Sequence, residues 1–165
     1  MHTKRKNHVI HAILGGTFDP CHLGHLRILE HMDNVTPAQK ISILPAKTPM
    51  HKTPFCAHTH RLNMLKLMLN NTSYTINHTE MADNISNETV DTLKKLHTLE
   101  PEHSIIWVLG DDSFASFNAW QNWQQILNYC NIIILKRSNP EYNEGLTTYI
   151  NAKSSTIEEF SKRKN

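Results

Sequence analysis

Gly15-Gly16-Thr17-Phe18-Asp19-Pro20-Cys21-His22-Leu23-Gly24-His25 follows directly on the apolar run Val9-Ile10-His11-Ala12-Ile13-Leu14. The run has the length and apolar content of a buried strand, and it stops where two glycines begin. A helix is predicted from about Leu23 to Met32, carrying Leu23, Leu26, Ile28 and Leu29. The chain holds 5 glycines, and three of them fall in this strand–turn–helix segment. Gly15 and Gly16 are expected to let the main chain turn tightly and approach a ligand with no side chain between. Amides at such a turn, and at the start of the next helix, favour an anion. His22 and His25 are three residues apart, so both can lie on one face of the first helical turn. Two imidazoles over a glycine turn suit a polyphosphate, because they donate to phosphoryl oxygens more strongly as charge builds up. As metal ligands the pair lacks a third partner at suitable spacing, so no protein-held metal is expected.

The alternation of strand and helix continues outward. Ile41 to Leu44 reads as a second strand stopped by Pro45, followed by a loop to Ala57 that holds Pro45, Pro49 and Pro54. A helix is predicted from about Thr59 to Leu69 on the repeat Leu62, Leu65, Leu69, with Met64 and Met68 beside it. Tyr74-Thr75-Ile76 is a third strand. Ser86 is a predicted N-cap for a helix running to about Leu99, with Glu88 and Asp91 in its first turn. Ser104 to Leu109 is a fourth strand ended by Gly110, and a helical stretch from Trp120 to Leu127 leads to a fifth strand, Ile132 to Leu135. This order predicts an α/β fold of Rossmann-like type: a parallel sheet of five strands or more with helices on both faces. Ligands of such sheets bind at the carboxyl ends of the strands.

A chain of 165 residues has the length of one domain. With 39% hydrophobic and 19% charged residues it is not a disordered chain. Its 17 Lys+Arg against 15 Asp+Glu give a net charge of +2, too even to imply a nucleic-acid surface. The 3 cysteines, Cys21, Cys56 and Cys130, form no C-x-x-C pair, which points to free thiols in a reducing, cytoplasmic compartment. The basic segment Met1 to Asn7 precedes an apolar run too short for a signal peptide, and no stretch approaches the roughly 18 apolar residues that span a bilayer. The 12 histidines are candidate phosphate or metal partners. Nothing in the sequence sets the oligomeric state, and a homo-oligomer is compatible with it.

Gly-Gly-Thr-Phe-Asp-Pro-x-His-x-Gly-His resembles the signature of the HxGH nucleotidyltransferases, and its wording resembles the nicotinate-nucleotide adenylyltransferase family within them. The resemblance continues in order from Val9 to Asn139. Pro45 to Lys52 resembles the family's loop after strand two, His60 to Leu65 the start of its next helix, and Val108 to Phe114 its Gly-x-Asp segment. Trp120, Trp123, Ile126 and Leu127 resemble its tryptophan-bearing stretch, and Lys136-Arg137 the end of its strand five. The resemblance implies adenylyl transfer from ATP to nicotinate mononucleotide, giving deamido-NAD and pyrophosphate, in NAD biosynthesis. Phosphate is already a nucleophile, so positioning and charge stabilisation suffice, and Cys21 is not expected to take part. It further implies that His22 and His25 hold the ATP phosphates and stabilise the pentacoordinate phosphorus. Gly15, Gly16, Thr17, Phe18, Gly110, Asp112 and Arg137 would complete the ATP site, Asp112 by accepting from a ribose hydroxyl. Lys52, His51 and Thr89 would contact the mononucleotide, and Trp120 would stack on its pyridine ring. Mg²⁺ is expected to bridge phosphates through substrate oxygens and water. No nucleic acid or membrane partner is implied.

Two segments depart from the family pattern. Asp83 stands where an Arg is expected, and Asn87-Glu88 stand where Ser-Tyr precede Thr89. Added acids repel a carboxylate substrate, so the acceptor stays open between nicotinate mononucleotide and another phosphate, such as phosphopantetheine or a riboflavin phosphate. The family also continues through a further strand and a Ser-Ser/Ala-Thr-x-Ile-Arg segment. Here Ser154-Ser155-Thr156 comes early and Glu159 holds the Arg position. The triplet is read as accidental, residues 138–165 as a polar tail, and the C-terminal subdomain as truncated. A catalytically silent nucleotide-binding protein is the third alternative.

Overall fold

The computed structural model describes residues 9–49, 53–81, 86 and 88–136. Five strands form one parallel sheet: β1 (Val9–Gly16), β2 (Lys40–Pro45), β3 (Thr75–Ile76), β4 (His103–Gly110) and β5 (Cys130–Leu135). Their spatial order is β3-β2-β1-β4-β5. The chain winds outward from β1 to one edge and then returns to the other side, so the switch point lies between β1 and β4. Crevices at such points, at the carboxyl ends of the strands, are where doubly wound sheets bind ligands.

Strands buried on both faces read as continuous apolar runs, and the structure sorts them by alternate residues. Ile10, Ala12, Leu14, Ile41, Ile43, Ile106 and Val108 face the helices α1 (Leu23–Val35) and α2 (His58–Leu69), meeting Leu29, Met32, Leu65 and Leu69. Ile13, Leu44, Ile105, Trp107 and Leu109 face the other way, onto Val90, Leu93 and Leu96 of α3 (Thr89–Leu99) and onto Phe114, Phe117 and Ile126. His11 and Ser42 belong to this second face and are both fully buried; His11 Nε2 lies 2.7 Å from Ser42 Oγ. Burial pushes His11 down to about 4, so its ring is neutral. Glu100 takes the other ring nitrogen at 2.9 Å, together with Lys40 Nζ at 2.5 Å and His103 Nδ1 at 2.6 Å. Burial raises the Glu100 carboxyl, but those three donors outweigh it and hold the group at about 2. A histidine that interrupts the apolar run is thus accommodated in a closed polar network at the amino ends of the strands.

Two predicted helices differ from those observed. Ser86 does not cap α3: its hydroxyl donates to Asp91 Oδ2 at 2.6 Å and sits 3.4 Å from the Glu88 amide. That local turn delays the helix to Thr89, with Glu88 at the N-cap. The stretch Trp120 to Leu127 is not one helix. A short α4 (Asp111–Ala115) comes directly after β4, a 3₁₀ turn follows over Phe117–Ala119, and α5 covers only Trp123–Ile126. Asn122, at φ 52°, adopts the left-handed conformation that a short amide side chain tolerates, and this separates Trp120 from α5. The remaining boundaries extend the predicted elements by one to three residues, except β3, which begins at Thr75 rather than Tyr74. Among the described residues no helix is long and apolar enough to cross a membrane.

Glu80, in a 3₁₀ turn before α3, is buried; its Oε1 accepts from the Thr92 hydroxyl at 2.9 Å, and the Lys47 backbone amide lowers the carboxyl further against the larger effect of burial. Burial pushes this carboxyl up to about 7 from an ordinary 4.5. A raised folded-state pKa stabilises the protein below the unfolded value and loses that contribution as pH rises through the folded one. The Glu80 contribution therefore falls between about pH 4.5 and 7, with on the order of 3 kcal/mol at stake, while His11, held at about 4, contributes an opposing rise over nearly the same range. Glu80→Gln should remove the falling contribution alone, so that its melting temperature climbs relative to the parent chain's across that range; a difference that stays constant with pH would show that Glu80 is ionised in the fold.

Candidate active site

β1 and β4 are neighbours, with Leu14 opposite Val108, so both strands end in glycine at the same level, Gly16 and Gly110. None of the glycines among the described residues has a positive φ, and Gly15 and Gly16 still belong to β1. The expected glycine turn is therefore corrected: the need for Gly15 is space. A Cβ there would lie 2.5 Å from Trp107 Cζ2, so the indole of β4 occupies the place of a side chain. A Cβ on Gly16 would meet the Phe18 ring at 3.0 Å. The left-handed residue of the loop is Phe18, at φ 53°, with its ring buried.

That ring props His25 edge-on, with centroids 5.0 Å apart. His22 is the N-cap of α1 and His25 its third residue; the two rings stack at 3.8 Å with 25° between planes. The His22 amide donates to His25 Nδ1 at 3.1 Å. A backbone N–H can only donate, so Nδ1 accepts, and a neutral His25 carries its proton on Nε2. The pair thus offers imidazole donors at the positive end of a 13-residue helix, above the switch point. Cys21, beside it, has its thiol pushed up by burial, away from thiolate character.

The loops are clamped by two residues that sequence reasoning assigned no role. Arg61 is buried at 1% exposure. Its Nη1 donates to the carbonyls of Thr17 at 2.7 Å and Ala46 at 2.8 Å, Nη2 to Lys47 at 3.0 Å, and Nε to Cys56 at 3.3 Å. The Asp19 carboxylate accepts from the amides of Phe55 and Cys56, and its charge offsets part of the burial cost of the guanidinium. Together they tie the loop after β1 to the loop after β2. A signal for Arg61 did exist: it lies at i−4 from Leu65 and i−8 from Leu69, so the buried stripe of α2 starts with an arginine rather than with half-buried Leu62.

Across the crevice, Asp112 is exposed in the first turn of α4, and its amide donates to Oδ1 of the buried Asp111 at 3.0 Å. Gly110 is the N-cap of that turn. Trp120 is half-buried, its ring 5.4 Å from Phe117; Trp123 meets the same phenyl edge-on at 5.7 Å. Thr89 opens α3 and is half-buried. His51, Lys52, Asp83, Asn87 and Arg137 lie outside the described residues, as do Ser154 to Glu159. Around the crevice no group of three potential metal ligands converges among the described residues.

A doubly wound parallel sheet with a histidine pair at the helix start over its switch point is an α/β arrangement suited to holding phosphate groups. The profile of the family described as Cytidylyltransferase-like matches residues 13–160, and the chain belongs to that family. The match runs past Asn139 as far as residue 160. A relative in Hydrogenovibrio crunogenus, named "probable nicotinate-nucleotide adenylyltransferase", is 35% identical over 128 residues, 76% of this chain and 61% of the relative. One of the same name in Yersinia pestis is 31% identical over 151 residues, 90% of this chain and 68% of the relative. The chain thus spans 61% to 63% of the length of the first three curated relatives it matches. The fold is shared with the Plasmodium falciparum nicotinic acid mononucleotide adenylyltransferase solved in complex with NaAD, at TM-score 0.74 and 23% identity over 86% of this chain and 71% of that one.

Arg61→Lys keeps the charge but cannot reach four carbonyls, and we expect it to cost about 3 kcal/mol in urea denaturation. Gly15→Ala should cost about 2 kcal/mol through overpacking. In a double-mutant cycle with Trp107→Leu most of that cost should disappear; additive costs would show that the indole is not the obstacle.

Proposed function

We propose that the chain transfers the adenylyl group of ATP to nicotinate mononucleotide, releasing pyrophosphate and forming deamido-NAD. The observation that carries this is the stacked His22–His25 pair at the start of α1, above the ends of β1 and β4. An oxygen of the acceptor phosphate attacks the α-phosphorus in line; a new P–O bond forms as the bond to the pyrophosphate oxygen breaks. No proton has to leave the nucleophile, so the protein's work is alignment and charge stabilisation. Nε2–H of His25, and the ring of His22 stacked on it, donate to phosphoryl oxygens whose charge grows in the transition state. The amino end of α1 adds its dipole. Mg²⁺ would enter with the triphosphate and would supply neutralisation of the pyrophosphate charge.

Gly15, Gly16, Thr17, Phe18 and Gly110 form the floor of the ATP site, Asp112 takes a ribose hydroxyl, and Arg137 meets the phosphates. Lys52, His51 and Thr89 hold the mononucleotide, with Trp120, braced by Phe117, as the stacking face. The Plasmodium relative's NaAD complex, and a second one with APC at TM-score 0.70, support nucleotides in this crevice. The unpaired cysteines among the described residues support a reducing, cytoplasmic setting.

A second acceptor class is favoured by Glu88, the N-cap of α3 beside Thr89. A carboxylate there opposes a carboxylate ligand and suits a phosphate acceptor that lacks that second acidic group. Pyrophosphate release from Mg-ATP with nicotinate mononucleotide, nicotinamide mononucleotide and phosphopantetheine separates the cases. We expect release with nicotinate mononucleotide, and a drop of at least about 100-fold in His25→Ala at unchanged melting temperature. Release only with another acceptor supports the second class. ATP binding without turnover on any acceptor indicates a silent nucleotide-binding protein, and full activity in His25→Ala overturns the assigned role.

A further inference from the structure

His11, Glu100 and His103 come from β1, the residue after α3 and the first residue of β4, yet one potential ligand atom of each lies within 4.8 Å of the others. They are the group of three such residues that converges among the described residues. They stand at the amino ends of the strands. His11 is five residues from Gly16, about 16 Å along β1 at roughly 3.3 Å per residue, so the cluster is separate from the crevice.

Two imidazoles and one carboxylate are a donor set suited to zinc and its neighbours rather than to Mg²⁺ or Ca²⁺. His11 Nδ1 and His103 Nδ1 both point at Glu100 Oε2, at 2.9 and 2.6 Å. Tetrahedral bonds of about 2.0–2.1 Å place ligand atoms about 3.3 Å apart. The carboxylate has to withdraw by a fraction of an ångström from each imidazole, and the three ligand atoms, all within 4.8 Å of one another, have to settle at that spacing around an ion; the Glu100 side chain is part-exposed. The outer contacts are already in place. Ser42 Oγ lies 2.7 Å from His11 Nε2, and a hydroxyl can donate to that nitrogen or accept from it. When Nδ1 binds a metal, the proton moves to Nε2 and Ser42 turns to accept it, the second contact that orients ligating histidines. Lys40 Nζ holds Glu100 Oε1, leaving Oε2 as the single ligating oxygen. His103 is part-exposed and leaves a side open to water as a fourth ligand.

We propose that His11, Glu100 and His103 bind a divalent transition ion of the zinc class at the amino end of the sheet, where it fastens the end of α3 to β1 and β4. The ion takes no part in adenylyl transfer.

The test is titration of the metal-free whole chain with Zn²⁺, and with Co²⁺ read by its visible absorption. We expect one ion per chain at micromolar concentration, with the intense band of four-coordinate Co²⁺. His103→Ala should weaken binding at least about 100-fold, and Ser42→Ala, which keeps all three ligands, about 10-fold. His22→Ala should leave binding unchanged, which excludes the other imidazole pair. Pyrophosphate release by His103→Ala without added Zn²⁺ should equal that of the parent chain. Binding that survives His103→Ala, that disappears with His22→Ala, or that needs millimolar metal overturns the proposal.

Discussion

Carbonyls of Thr17, Ala46, Lys47 and Cys56, from the loops after β1 and β2, converge on the guanidinium of Arg61. A planar cation with five donors is the side chain suited to collecting acceptors from separate segments. Parallel strands deliver their connections to one end, where main-chain groups have lost the sheet ladder and need other partners. Arg61 supplies those partners from within the core, and Asp19 does the same for the amides of Phe55 and Cys56. The crevice therefore keeps its shape through buried polar contacts, with its glycine floor and histidine pair hung from a rigid frame.

The two histidines are organised by simple forces. A buried phenyl ring at a left-handed position supports one, the rings stack on each other, and a main-chain amide selects the tautomer. Each contact is worth little alone, but together they remove rotamer freedom that a ligand at this helix start would otherwise have to restrain on binding. Trp120 follows the same pattern, since Phe117 braces a ring that remains partly open.

The opposite end of the sheet solves a different problem. A strand buried on both faces admits a histidine only if both ring nitrogens are satisfied, and Ser42 and Glu100 do that for His11. The outcome is a concentration of donors and acceptors remote from the carboxyl ends of the strands, linked to them through β1 and β4.

Strand–helix alternation, the two-faced parallel sheet and the position of the histidine pair were legible in the sequence, because apolar period and glycine placement are local properties. So was the family, carried by one contiguous eleven-residue segment. The order of strands, the indole that makes Gly15 necessary, the guanidinium clamp and the His11–Glu100–His103 cluster were not. Each joins residues tens of positions apart, such as the 89 between His11 and Glu100, and no periodicity encodes which distant group will meet another. Ser86 and the stretch after Gly110 misled local reasoning for a related reason: a serine can close a turn as readily as cap a helix, and one left-handed asparagine divides a helix that hydropathy alone would continue. The sequence by itself determined what is built from neighbours, and only tertiary packing decided which distant polar groups share a buried site, because that depends on where the sheet brings the strand ends together.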